Sequence, residues 1–159
     1  MTLPGLMQQH ALLIPSLLDH AARAHRGATI VSLAAGAPAH RCGYADVDLR
    51  ARQLAQALTA LGVRPGDRVG TMAWNHHRHL ELFFGVSGMG AVLHTVNPRL
   101  FPEQLAYIIA HAEDRVLCVD PGFVPLVAAL RPQLPQLRHV VVLAPRAAMA
   151  GLPVEDALC

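Results

Sequence analysis

Three histidines fall within four positions, His76, His77 and His79, and Glu81 follows two residues later. Neutral imidazole is a common metal ligand, and His76 and His79 have the three-residue spacing that places two side chains on one face of a helix. The run lacks a third ligand at helical spacing that would close a site. It therefore reads as a solvated helix start, with metal binding as the lesser alternative. Gly85, Gly88 and Gly90 form a second candidate. A dinucleotide fingerprint needs G-x-G-x-x-G directly after a strand, so that the next helix aims its N-terminus at the pyrophosphate. Here the order is G-x-x-G-x-G, after a helical pattern and before a strand, which points to close packing and a tight exit.

The acids Glu113 and Asp114 are adjacent, so on a helix end they diverge and make a poor acid and base couple. They read as a solvated helix end, and Asp120 as a residue that opens a helix. Asn97, Pro98 and Arg99 follow a predicted strand at the edge where open α/β sheets bind ligands. A polar contact from Asn97 or Arg99 is conceivable there, but Asn-Pro is a turn signal in its own right. These patterns assign no catalytic, cofactor-binding or metal-binding residue.

The elements that carry these residues alternate in type. Arg68 to Ala73 is a short apolar strand after a Pro-Gly turn, and Asn75 is the expected N-cap of a helix on which Leu80, Phe83, Phe84 and Ser87 recur at helical spacing. Ala91 to Val96 is the next strand. Pro102 opens a helix with Leu105, Ile108, Ile109 and Ala112 as its stripe, and Arg115 to Val119 is a third strand. Such alternation implies parallel neighbours joined by right-handed crossovers.

Earlier in the chain, Ser16 is the expected cap of a helix to about His25 with Leu17, Ala21 and Ala24 on one face. Thr29 to Leu33 and His40 to Tyr44 read as a hairpin across the AAGAP turn. Asp46 then caps a long helix with Val47, Ala51, Leu54, Leu58 and Leu61 on one side and Arg50, Arg52, Gln53 and Gln56 on the other, ended by Gly62. After Asp120, Pro121 opens a helix to about Leu130, Pro132 and Pro135 break it, and His139 to Ala144 is a fourth strand. Residues 1–14 read as an arm, and the last fifteen as a loop with one helical turn. The fold class is α/β, a mostly parallel sheet with flanking helices.

Composition narrows the function. With 53% hydrophobic and only 15% charged residues, the 159-residue chain is more apolar than an ordinary free-standing domain. Membrane association and a fragment lacking its covering chain are the two explanations. Leu82 to Leu93 is interrupted by Gly85, Ser87, Gly88 and Gly90 and is shorter than the roughly 17 to 25 residues of a spanning helix, which favours the fragment. All 13 cationic residues are arginine, and the net charge of +2 is too small and dispersed for a nucleic-acid footprint. Cys42, Cys118 and Cys159 lack C-x-x-C spacing and read as reduced thiols of a cytoplasmic protein. The start, MTLPGLMQQHALL, has no basic region ahead of its apolar residues, against an export signal.

The succession GDRV, AWN, RHLEL, GMGAVLHTVNPRL, EQLAYI and HAEDRVL is similar to the N-terminal part of the adenylate-forming acyl-CoA synthetases, in particular the medium- and long-chain fatty-acid–CoA ligases. The likeness runs from about Leu17 onward. Ser87 departs from the proline expected there, which touches helix termination only. The resemblance implies an incomplete N-terminal domain over residues 15–159, cut before the phosphate-binding loop. It implies ligation of a fatty acid to CoA with ATP, Mg²⁺ and CoA as the parent activity. The family's phosphate-binding loop and both of its functional lysines lie outside these residues, so the chain alone is expected to bind none of these and to be inactive. A homodimer or the remainder of the enzyme is the implied partner. The alternatives are a non-catalytic interaction or oligomerisation module and a self-contained nucleotide-binding α/β protein, the latter disfavoured by the lack of a P-loop or Rossmann fingerprint.

Overall fold

A computed structural model describes residues 9–33 and 38–149, together with Gly5, Pro153 and Leu158. Most of the AAGAP turn, the first residues of the arm and most of the final loop lie outside the described residues. Helix α1 (Ile14–Ala24) leads into strands β1 (Thr29–Ser32) and β2 (His40–Gly43), an antiparallel hairpin in which Ile30 faces Cys42. Then come α2 (Tyr44–Ala60), β3 (Arg68–Met72), α3 (His77–Gly88), β4 (Val92–Thr95), α4 (Pro102–His111), β5 (Val116–Val119), α5 (Val124–Leu130) and β6 (His139–Val142). A 3₁₀ turn at Pro121–Phe123 precedes α5, so Pro121 opens a tighter turn than the expected helix start.

The second sheet is parallel throughout, in the order β4-β3-β5-β6. From β3 the chain crosses to β4 on one side, then returns to β5 on the other. The point where the order reverses therefore lies between β3 and β5, and in open α/β sheets the carboxyl edge at that point is the usual ligand crevice. Residues of the strands alternate between two apolar layers. Val69, Val116 and Cys118 pack with Leu58 of α2 and Leu82 and Val86 of α3, while Met72, Leu117, Val119, Val140 and Val142 pack with Leu105 and Ile109 of α4 and Val127 and Leu130 of α5. Burial on both faces explains why β5 reads as an unbroken apolar run.

Several boundaries and faces differ from the sequence reading. Helix α1 starts at Ile14, before Ser16, whose hydroxyl donates to the Leu13 carbonyl at 2.5 Å. Its buried residue is Leu18, while Leu17 is exposed, because α1 meets α2 and α3 through the next position of the turn. Asp46 sits inside the first turn of α2 and not ahead of it. Its Oδ2 accepts from the Gly43 N–H at 2.8 Å, which fixes the chain's entry into the helix from the third position. On α3 the residues packed deepest are Leu82, Gly85 and Val86. Leu80 and Phe84 belong to a smaller cluster with Leu18, Val47 and Ala51, and Phe83 is 42% exposed. A helix sandwiched between a sheet and two other helices has two buried faces, and a single stripe cannot describe it.

Gly62 has φ +88° and ends α2 as expected of a left-handed C-terminal residue. The stripe expected on α4 is correct at Leu105 and Ile109, with Pro102 in its first position.

Candidate functional site

At the carboxyl edge, β3 runs on into Trp74 and Asn75, and Asp120 directly follows the last residue of β5. Asp120 joins the two loops: its Oδ2 accepts the Trp74 backbone N–H at 2.8 Å, and its Oδ1 lies 2.6 Å from His76 Nε2. The other ring nitrogen of His76, Nδ1, accepts the His79 N–H at 3.3 Å and so caps α3. Because Nδ1 accepts, Nε2 carries the proton and donates to Asp120. Both nitrogens are committed, and His76, not Asn75, is the N-cap. At the point of strand reversal the Trp74 backbone and His76 are thus both tied to Asp120.

Around it lie Phe123, with its ring centroid 5.3 Å from that of Trp74, and the Arg99 guanidinium, 5.8 Å from the same indole. The Asn97 carboxamide oxygen accepts the Arg99 N–H at 3.0 Å, so Asn97-Pro98-Arg99 is a side-chain-stabilised turn as its sequence indicates.

The histidine run is not a solvated helix start. His77 is buried, its N–H donates to Ser32 Oγ of β1 at 2.9 Å, its Nδ1 lies 3.2 Å from the same hydroxyl, and its ring stacks on His40 at 3.8 Å. Burial, and then the electrostatic effect of its neighbours His40, Arg78, His76 and Arg50, push its pKa down to about 4. His79 places Nε2 3.0 Å from Thr71 Oγ1, and burial lowers its pKa as well. The hairpin lies over this end of α3 and removes it from water, a tertiary contact that local pattern cannot announce. The imidazoles spend their nitrogens on Asp120, Ser32 and Thr71, and among the described residues no group of three metal-ligating side chains comes together. Between the hairpin, the start of α3 and β4 is a cleft of about 560 Å³ walled by apolar side chains and these histidines.

Asp114 also departs from expectation. It is 0% exposed, and its Oδ2 accepts from His94 Nδ1 on β4 at 2.7 Å. The pair reaches across β3 where Gly70 has no side chain, since a Cβ there would come within 2.9 Å of that oxygen. Burial raises the Asp114 pKa, and His94 opposes the rise. Its neighbour Glu113 does stay exposed and pairs with Arg68 at 2.7 Å.

On the α2–α3 interface, Arg50 is exposed like Arg52 but also reaches across to α3. It contacts the buried Glu81 carboxylate at 2.5 Å, holding one helix to the other. Gly85 is there for close approach, because a Cβ would stand 2.8 Å from the Ala51 carbonyl oxygen of α2, and Gly90 takes φ +81° to exit α3. Sequence reasoning missed the links of Asp120 to His76 and of Asp114 to His94. Each joins residues more than a dozen positions apart, and the one hint was an acid at each end of a predicted strand.

The AMP-binding enzyme family matches residues 18–157. The chain is 52% identical over 142 residues to a 3-methylmercaptopropionyl-CoA ligase of Ruegeria lacuscaerulensis, covering 89% of this chain and 26% of the relative. It is 47% identical over 155 residues to a long-chain-fatty-acid–CoA ligase of Thermus thermophilus, covering 98% of this chain and 29% of the relative. It is 46% identical over 140 residues to a medium-chain-fatty-acid–CoA ligase of Ectopseudomonas oleovorans, covering 88% and 26%. Among solved structures it resembles the anthranilate CoA ligase AuaEII in complex with anthranoyl-AMP, with a TM-score of 0.74 and 29% identity over 81% of this chain and 24% of that one. The N-terminal domain of FACL13 from Mycobacterium tuberculosis gives a TM-score of 0.74 and 25% identity over 84% and 34%. The chain thus spans about a quarter to three tenths of the length of these curated relatives.

Proposed function

We propose a function from one premise: the chain belongs to the AMP-binding enzyme family. It is the scaffold segment of an ATP-dependent ligase that joins a fatty acid to CoA, with AMP and pyrophosphate as products, and by itself it does not catalyse that reaction. The observation that carries this reading is the run of identities of 46% to 52% with CoA ligases along nearly the whole chain. Those relatives' names span a short thioether acid and medium- and long-chain fatty acids, so the shared chemistry is acid activation followed by thioester formation.

The arrangement of charges at the carboxyl edge supports inactivity of the isolated chain. Adenylation moves negative charge over phosphate and needs preorganised donors and cations. Here Asp120 is already satisfied by Trp74 and His76, and Arg99 is held over an indole, so the described residues do not fit ATP with Mg²⁺ and no step is assigned to them. The chain incubated with ATP, Mg²⁺, CoA and decanoate is expected to release no AMP, and AMP formation would refute this. The parent activity is tested separately by a chimera in which residues 18–157 replace the matching segment of the Ectopseudomonas enzyme. The chimera is expected to form decanoyl-CoA; a folded chimera without turnover would count against the assignment.

A further inference from the structure

Helix α1 is apolar on a side that the described residues leave uncovered. Leu18 is buried among residues of α2, whereas Leu13, Ile14 and Leu17 are 58%, 43% and 66% exposed, and Leu12, just ahead of the helix, is fully exposed. Leu13, Leu17, Ala21 and Ala24 follow one another at helical spacing and so share a face, and Ala24 is exposed as well. Four large aliphatic side chains in one short stretch exceed the single exposures normal on a protein surface. Charge is biased toward the same part of the chain. The arginines are scattered, but their surplus over acid is not: residues 1–45 hold Arg23, Arg26 and Arg41 against the one acid Asp19, and beyond residue 45 arginines and acids are equal in number. The formal charge of +2 is therefore that of these residues. Asp19 is held in an ion pair by Arg23, which leaves Arg26 and Arg41 exposed and without an acidic partner among the described residues. Ile30 of β1 packs into the same small cluster as Leu18, so the hairpin that carries Arg41 lies beside α1.

We propose that α1 and the adjoining hairpin form a docking face for an anionic lipid surface, with Leu12, Leu13, Ile14 and Leu17 entering the boundary between head groups and acyl chains and Arg26 and Arg41 meeting the anionic head groups. A helix with one apolar side and basic flanks lies in the plane of such an interface, held by apolar burial together with attraction to anionic lipid. Among the described residues no helix is long and apolar enough to cross a membrane, so the attachment is to the surface. Charge argues for lipid over a second copy of the chain. A two-fold-related pair joined through this face would bring its surplus arginines together, a like-charge juxtaposition, whereas an anionic surface neutralises them. The attachment needs neither ATP, CoA nor a carboxylic acid, so it stands or falls independently of the ligase reading.

The test is flotation of the 159-residue chain with vesicles of phosphatidylcholine alone and with vesicles of equal parts phosphatidylcholine and phosphatidylglycerol. Partitioning is expected to be at least about tenfold stronger on the anionic vesicles, and to weaken as salt screens their surface. Leu13→Gln combined with Leu17→Gln changes two exposed side chains and so is compatible with folding. That variant is expected to bind the anionic vesicles at least about tenfold less well. Arg26→Gln combined with Arg41→Gln is expected to remove the preference between the two vesicles. Light scattering of the chain without lipid examines the other occupant. Equal partitioning onto both vesicles, failure to float with the anionic ones, or full binding by the leucine double variant would each overturn the proposal. So would a dimer that the leucine double variant dissolves, which would assign the face to a second copy.

Discussion

Replacement of Gly85 by valine is expected to lower the unfolding free energy by about 3 kcal/mol, toward the upper end for an overpacked site. The obstacle is main chain. A Cβ at this position would stand 2.8 Å from the Ala51 carbonyl oxygen and 3.1 Å from a Leu54 methyl group, and neither α2 nor α3 can retreat freely. Leu82 and Val86 hold α3 to the sheet, and Leu58 holds α2 to the same layer. The Arg50–Glu81 contact crosses the same interface at 2.5 Å, so a forced separation also loosens a buried carboxylate from its cation. Gly88 is the internal control. It lies on the same helix with nothing nearer than 3.9 Å, and alanine there is expected to leave stability unchanged or raise it by about 0.5 kcal/mol through helix propensity. Urea unfolding of the two variants separates the cases, and equal destabilisation would show that glycine spacing on α3 has no packing role.

That contrast shows what was legible in the chain and what was not. The αβ alternation from Arg68 to Val119, the parallel sheet and the structural nature of the glycines follow from periodicity and from turn residues, which are local signals. Which glycine is indispensable does not, because Ala51 reaches Gly85 only after two helices have packed. Polar residues show the same divide. Asn97 folds back onto Arg99 two positions away, a bond within the reach of turn chemistry. Asp114 and the histidine run were misread as solvated because their burial depends on His94 crossing a bare Gly70 and on the hairpin closing over α3. Helix starts failed by one to three residues for a related reason. His76 displaced Asn75 as the cap because Asp120, more than forty residues away, fixes its ring with the acceptor nitrogen toward the helix.

Acid is expected to weaken the fold through His77 before the carboxylates titrate in bulk. In the unfolded chain its imidazole takes up a proton near its ordinary 6.5, whereas in the folded protein burial and neighbouring positive charge hold it neutral until about 4. Between those values the unfolded state binds more protons than the folded one, so stability is lost as pH falls from about 6.5 to about 4, and this contribution is flat outside that window. After allowance for solvent near the cleft, the loss is about 2 kcal/mol. His79, whose pKa is also lowered, adds in the same direction. Asp114 works against it: its raised pKa means that the folded state takes up that proton more readily, which adds stability on acidification. His77→Phe separates the contributions. Its baseline stability falls with the loss of the Ser32 bond, but its urea midpoint is expected to change less between pH 6.5 and 4 than that of the parent chain. An unchanged slope in the variant would place the acid sensitivity elsewhere and would remove the argument that this ring is neutral because it is enclosed.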